Sequence, residues 1–105
     1  MKVVTKGGAA VDNSVPMKDQ YRVFQDGSKV YSATLNQANM DHNNNKFYMI
    51  QILTNEKTNQ IYVWNRWGRV GTPGQNCLKG PFPKDVAIRD FNKKHHEKTV
   101  KGDYR

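Results

Sequence analysis

Tyr62, Trp64, Arg66, Trp67 and Arg69 interleave aromatic rings with cations along one short stretch. Nucleic-acid binders combine these two groups, cations for phosphate and aromatic faces for bases or sugars. If residues 61–67 are extended, side chains alternate between faces. Ile61, Val63, Asn65 and Trp67 then share one face, and Tyr62, Trp64 and Arg66 share the other. Trp64 falls mid-strand and is expected in the core. Trp67 falls at the strand end beside Gly68, where the missing side chain lets another backbone or a ligand approach. Trp67 is therefore the contact candidate, with Arg66 and Arg69 as its cations. The competing reading makes both tryptophans core and both arginines solvated, and these residues alone leave the two open. A second group is Asn43-Asn44-Asn45-Lys46. Its amide NH2 groups and ammonium can converge on a phosphate without a helix terminus. The plainer alternative there is an ordinary Asn-rich turn.

Other chemistries find no support. Ser14, Ser28 and Ser32 lack a nucleophile context. The histidines are His42, His95 and His96, with no metal-binding spacing. The single Cys77 excludes an internal disulfide and a cysteine-based zinc site; a lone thiol fits a reducing compartment. Gly68, Gly71 and Gly74 recur every third residue, but they lead from a strand into a turn, and a dinucleotide fingerprint needs a helix there. No catalytic residue, metal or cofactor is expected. No apolar run approaches the ~20 residues of a membrane span.

The elements that must position the candidate groups follow from the pattern. Tyr21-Arg22-Val23-Phe24 reads as a strand, Asp26-Gly27 as a hairpin turn and residues 29–35 as its partner strand. Residues 36–45 are rich in Asn and read as a loop. Phe47–Leu53 is apolar on both faces, as a central strand covered on both sides should be. A polar turn at 55–59 leads to the strand beginning at Ile61. Thr72-Pro73-Gly74 is a turn, residues 75–79 a fifth strand, and Gly80-Pro81-Phe82-Pro83 a break. Lys84 to about Lys98 reads as a helix, with Ala87, Ile88, Phe91 and His95 on one side. Pro83 and Asp85 suit its start, and Lys93, Lys94 and Lys98 its end. The expected class is α+β, a small antiparallel sheet of five strands with one C-terminal helix packed on it.

Charge and length bound the function. The chain has 105 residues, 17 Lys+Arg against 9 Asp+Glu, and a net charge of +8. One domain and a polyanionic partner are expected. The excess is placed late, +6 over residues 64–105 (ten cations, four acids) and +2 over residues 1–63 (seven, five). Only 36% of residues are hydrophobic, partly because residues 1–19 have the composition of a flexible linker. The domain is placed at 20–100 and a polar tail at 101–105.

At the Trp67-Gly68-Arg69 tripeptide the pattern becomes specific. Within "VWNRWGRVGTPGQ" it resembles the WGR domain of DNA-dependent poly(ADP-ribose) polymerases. "LNQANMDHNNNKFYMIQIL" (35–53) and "FPKDVAIRDFNKKHHEKT" (82–99) resemble the same domain's preceding segment and closing helix. The resemblance covers roughly residues 21–100 in order and is nearest to the shorter members without zinc fingers. It departs after Lys98-Thr99, where Tyr104 stands near the place of a family aromatic. The resemblance implies a non-catalytic module that recognises DNA strand breaks in the nucleus, as a monomer. Trp67 is then the residue that stacks on a terminal sugar. Arg69 contacts the DNA backbone and neighbouring regulatory or catalytic domains. Asn43, Asn45 and Lys46 lie near a 5′-phosphate. Any NAD-dependent ADP-ribosyltransferase domain is expected outside these 105 residues. The alternatives are a protein or interdomain docking module, and an RNA-binding domain.

Overall fold

A computed structural model of the chain describes residues 9–38, 45–102 and 104–105. Its centre is a long antiparallel hairpin of β5 (Lys46–Asn55) and β6 (Ile61–Arg69), in register from Lys46↔Arg69 to Thr54↔Ile61. The Asn55 side chain makes the turn: its Oδ1 accepts from the amides of Lys57 (2.9 Å) and Thr58 (3.2 Å). β7 (Gln75–Phe82) pairs with β6, and β4 (Ser32–Gln37) and β1 (Tyr21–Val23) pair with β5. All pairings are antiparallel and make one five-stranded sheet. Helix α1 (Lys84–His96) crosses one face. The α+β class and the single C-terminal helix agree with the sequence expectation.

The two sides of the sheet carry two cores. Tyr48, Ile50, Ile52 and Val63 face α1 and pack with Ala87, Phe91, Tyr31 and Leu35. The Tyr31 and Phe91 rings meet edge to face, 5.3 Å apart. Leu53 and Trp64 face the other way and pack with Tyr21, Val23 and Val15. This explains why the middle of β5 is apolar on both faces: Ile50, Ile52 and Leu53 are fully buried between the two cores.

Four expectations change. First, β1 and β4 do not pair with each other. They lie end to end along β5, because Phe24 N–H donates to the Ile52 carbonyl (2.7 Å) and Ile52 N–H donates to the Tyr31 carbonyl (3.0 Å). Between them β2 (Gln25–Asp26) and β3 (Lys29–Val30) form a separate small hairpin. Asp26 pairs with Lys29, so the turn is Gly27-Ser28, with Gly27 at φ 62°. Second, β7 continues through Gly80-Pro81 to Phe82. It is an edge strand, where a residue without an N–H donor is tolerated. Third, residues 9–19, expected as linker, strap the second face: Val15 and Asp12 are buried, 4% and 8% exposed. Fourth, the tail expected to be polar is docked. After α1 a wider turn (Glu97–Lys101) carries the chain back to the sheet. There Arg105 and Asn36 exchange backbone hydrogen bonds of 2.8 Å each way, and Tyr104 packs on the helix-side core.

Candidate nucleic-acid interface

One end of the β5–β6 hairpin collects the candidate residues. The register sets Lys46 opposite Arg69 and Tyr48 opposite Trp67. The Asn45 carbonyl accepts from Val70 N–H at 2.9 Å, which extends the ladder by one step. Asn45, Lys46 and Arg69 are exposed there. Asn43 lies outside the described residues.

Trp64 is fully buried, and its indole N–H donates to Asp12 Oδ2 at 2.8 Å. Trp67 lies on the opposite, helix-side face and is half-buried. It stacks on Tyr48 with centroids 5.9 Å apart and planes at 18°. Lys98 Nζ sits 4.6 Å above the Tyr48 ring, and Tyr104 meets Tyr48 edge-on at 6.2 Å. The aromatic at the sheet end is thus held by a stack that continues into the docked tail. Burial pushes the Tyr48 phenol up, and the negative charges of Asp90 and Glu97 add to the shift.

Gly68 follows Trp67 because another backbone passes it. A Cβ on Gly68 would lie 2.8 Å from Gly74 Cα, and one on Gly74 would overlap the Trp67 carbonyl. Gly74 has φ 73°, a conformation open to glycine. The close approach expected at Gly68 is therefore made by the chain's own β6–β7 turn.

Arg66 is no solvated cation. Its Nε and Nη2 donate to Asp12 Oδ2 (2.6 Å) and Oδ1 (3.2 Å), Nη1 donates to the Pro73 carbonyl (3.0 Å), and Cζ lies 4.8 Å from the Phe47 ring centre. Burial would raise the Asp12 carboxyl. Hydrogen bonds from Arg66, Trp64 and the Ser14 amide, with the Arg66 charge, outweigh it and hold Asp12 below the ordinary 3.8. Gln51 fixes the same segment, accepting from Asp12 N–H (3.0 Å) and donating to the Ala10 carbonyl (2.9 Å).

Sequence reasoning missed Asp12 and Tyr48, and read Lys98 only as one of the basic residues ending the helix, not as the cation over the Tyr48 ring. Asp12 carried a weak signal, an acid between Val11 and Val15 in an otherwise polar stretch. Among the described residues, no three of His, Cys, Asp and Glu gather where they could hold a metal, and no helix is long and apolar enough to cross a membrane.

The pattern of the WGR domain matches residues 31–105. Poly(ADP-ribose) polymerase 2 of Zea mays is 50% identical over 103 residues, covering 94% of this chain and 16% of its own length. The Arabidopsis thaliana protein of the same name is 45% identical over 90% of the chain and 15% of its own length. The Homo sapiens protein mono-ADP-ribosyltransferase PARP3 is 42% identical over 85% of the chain and 16% of its own length. The chain thus spans about a sixth of the length of these relatives, and what it matches is their non-catalytic WGR module. With the Trp67-Gly68-Arg69 motif at the end of a five-stranded sheet and a single helix packed across it, this chain belongs to the WGR domain family.

Proposed function

We propose that this WGR domain is a DNA-break-associated regulatory module, and that the Trp67 end of the sheet reads the broken end. The observation that carries the proposal is the β5–β6 register. It sets exposed Lys46 and Arg69 opposite one another, two register pairs from a half-buried tryptophan. Phosphate contacts supply affinity on any duplex; an end must be chosen by what an intact duplex lacks. A terminal sugar offers a face for Trp67. A 5′-phosphate offers a doubly charged group for Lys46, Asn45 and Asn43. Arg66 supports this surface from behind, as its bonds to Asp12 and Pro73 leave it engaged with the protein. Arg69 contacts the DNA backbone and relays occupancy to the regulatory and catalytic domains of a longer ADP-ribosyltransferase. The module acts in the nucleus, as a single copy.

The test is an anisotropy titration of the chain at fixed salt with three DNAs: a 5′-phosphorylated blunt duplex, the same duplex without the phosphate, and a closed circle. The expected order of affinity is phosphorylated end, then bare end, then circle. Equal affinity for end and circle overturns end recognition. Binding to none of them favours interdomain docking, and displacement by single-stranded RNA at equal concentration favours an RNA partner.

A further inference from the structure

The N-terminal strap reaches the Trp67 end through the Asp12 side chain. Asp12 is fixed from two sides before it meets Arg66. Gln51 holds its backbone (3.0 Å) and the buried Trp64 indole holds its carboxylate (2.8 Å). It is therefore a rigid anchor, unlike a surface counter-ion. Arg66 grips both carboxylate oxygens with Nε and Nη2, the fork geometry that orients a guanidinium plane. That orientation aims the remaining Nη1 at the Pro73 carbonyl, 3.0 Å away in the β6–β7 turn. One residue on, Gly74 lies against the Trp67 carbonyl and Gly68. Phe47, beneath the Arg66 guanidinium, is also the side chain that a Cβ on Gly74 would meet, 3.1 Å away.

We propose that Asp12 is a positioning residue for the DNA-reading end: acting through Arg66, it fixes the β6–β7 turn against which Trp67 and Gly68 are set. The inference rests on the break-binding reading above. It makes the strap, 52 residues before Trp64 and 54 before Arg66, part of the reading surface's geometry without placing it on that surface.

The sign of one substitution separates positioning from charge. Asp12→Asn raises the net charge by one, and on electrostatics alone that strengthens binding to every DNA. Positioning requires the opposite at a broken end. The experiment uses the 105-residue chain with Asp12→Asn and, separately, Arg66→Lys. It reads anisotropy on the 5′-phosphorylated duplex and on the closed circle, and amide exchange of Thr72 and Val70 in the free protein. Those amides donate to the Arg69 carbonyl (3.1 Å) and the Asn45 carbonyl (2.9 Å).

For Asp12→Asn the expected result is end affinity lower by roughly three- to tenfold, circle affinity unchanged or higher, and Thr72 exchange faster by a similar factor. Tighter binding to both DNAs, or unchanged Thr72 exchange, overturns the proposal. Should circular dichroism show Asp12→Asn unfolded, Arg66→Lys decides. It keeps the net charge, but one ammonium cannot serve Asp12 and Pro73 together. Equal end affinity and equal exchange in that variant overturn the proposal; losses in both support it. A wild-type chain with no preference for ends sinks the break-binding reading instead, and the exchange rates of the free variants still decide whether Asp12 sets the turn.

Discussion

At the scale of single residues, the two tryptophans show what alternation along a strand decides. Period-two reasoning separates Trp64 from Trp67 correctly, since the first is fully buried and the second half-buried on the opposite face. It does not reveal that Trp67 leans on Tyr48, because a cross-strand pair depends on register and no single strand encodes that. The stack prepares the ring, leaving little side-chain freedom to lose on binding. Trp67→Ala is expected to cost about 1–3 kcal/mol of binding to a broken end, with circular dichroism showing the sheet retained. Loss of the fold in that variant would assign the ring to the core. Lys46→Ala should weaken the 5′-phosphorylated end more than the bare one, read as the ratio of the two dissociation constants. A ratio equal to that of the wild type would remove Lys46 from the phosphate. Arg66 is the residue whose environment was least legible. Its partner is 54 positions away, and sequence spacing carries no information about such a pair.

At the scale of elements, the turn after β6 explains the glycines that composition leaves ambiguous. Gly71 has φ 94° with nothing within 4 Å of its notional Cβ, whereas Gly74 combines φ 73° with a backbone already in the way. Gly71→Ala should therefore cost only the conformational penalty, about 1–2 kcal/mol. Gly74→Ala should cost more and also reduce end affinity, because the displaced backbone belongs to Trp67. Melting temperatures and end titrations of both variants check this, and equal effects would remove the crossing from the explanation. The helix was legible from its apolar stripe, since Ala87 and Phe91 are the residues it buries. The run of β1 into β4 was not. A turn signal at Asp26-Gly27 predicts a hairpin, and a hairpin exists, but it is a small outgrowth with two residues in each strand. The flanking strands gain more by pairing with β5, where Tyr31 and Leu35 reach the helix-side core.

At the scale of the whole molecule, the basic excess and the buried carboxylate give two pH and salt signatures. Binding should fall by roughly 0.9 log units per phosphate contact for each log unit of salt. A flat salt response would rule out phosphate as the main contact. Asp12 is held below the 3.8 of an ordinary aspartate, so its contribution to stability is fully present above 3.8. That contribution is lost as pH falls below this value, through the lower folded-state pKa. Urea midpoints across that window should fall less steeply for Asp12→Asn than for wild type; parallel slopes would mean the carboxyl is not linked to folding. Composition hid this carboxylate. The segment that bears it is polar enough to read as linker, and its docking on Trp64, Gln51 and Arg66 makes it part of the body.

The two covers of the sheet have a consequence for the order of assembly. β5 and β6 are joined by a short turn and can pair as soon as both exist, at little loop-closure cost. The strap must then close over Trp64 from 52 residues upstream, while Tyr104 seals Tyr48 only after α1 has formed. During synthesis the strap side can therefore be sealed while the helix side still exposes Tyr48, Ile50 and Ile52. The sticky interval of the nascent chain belongs to the face that carries Trp67.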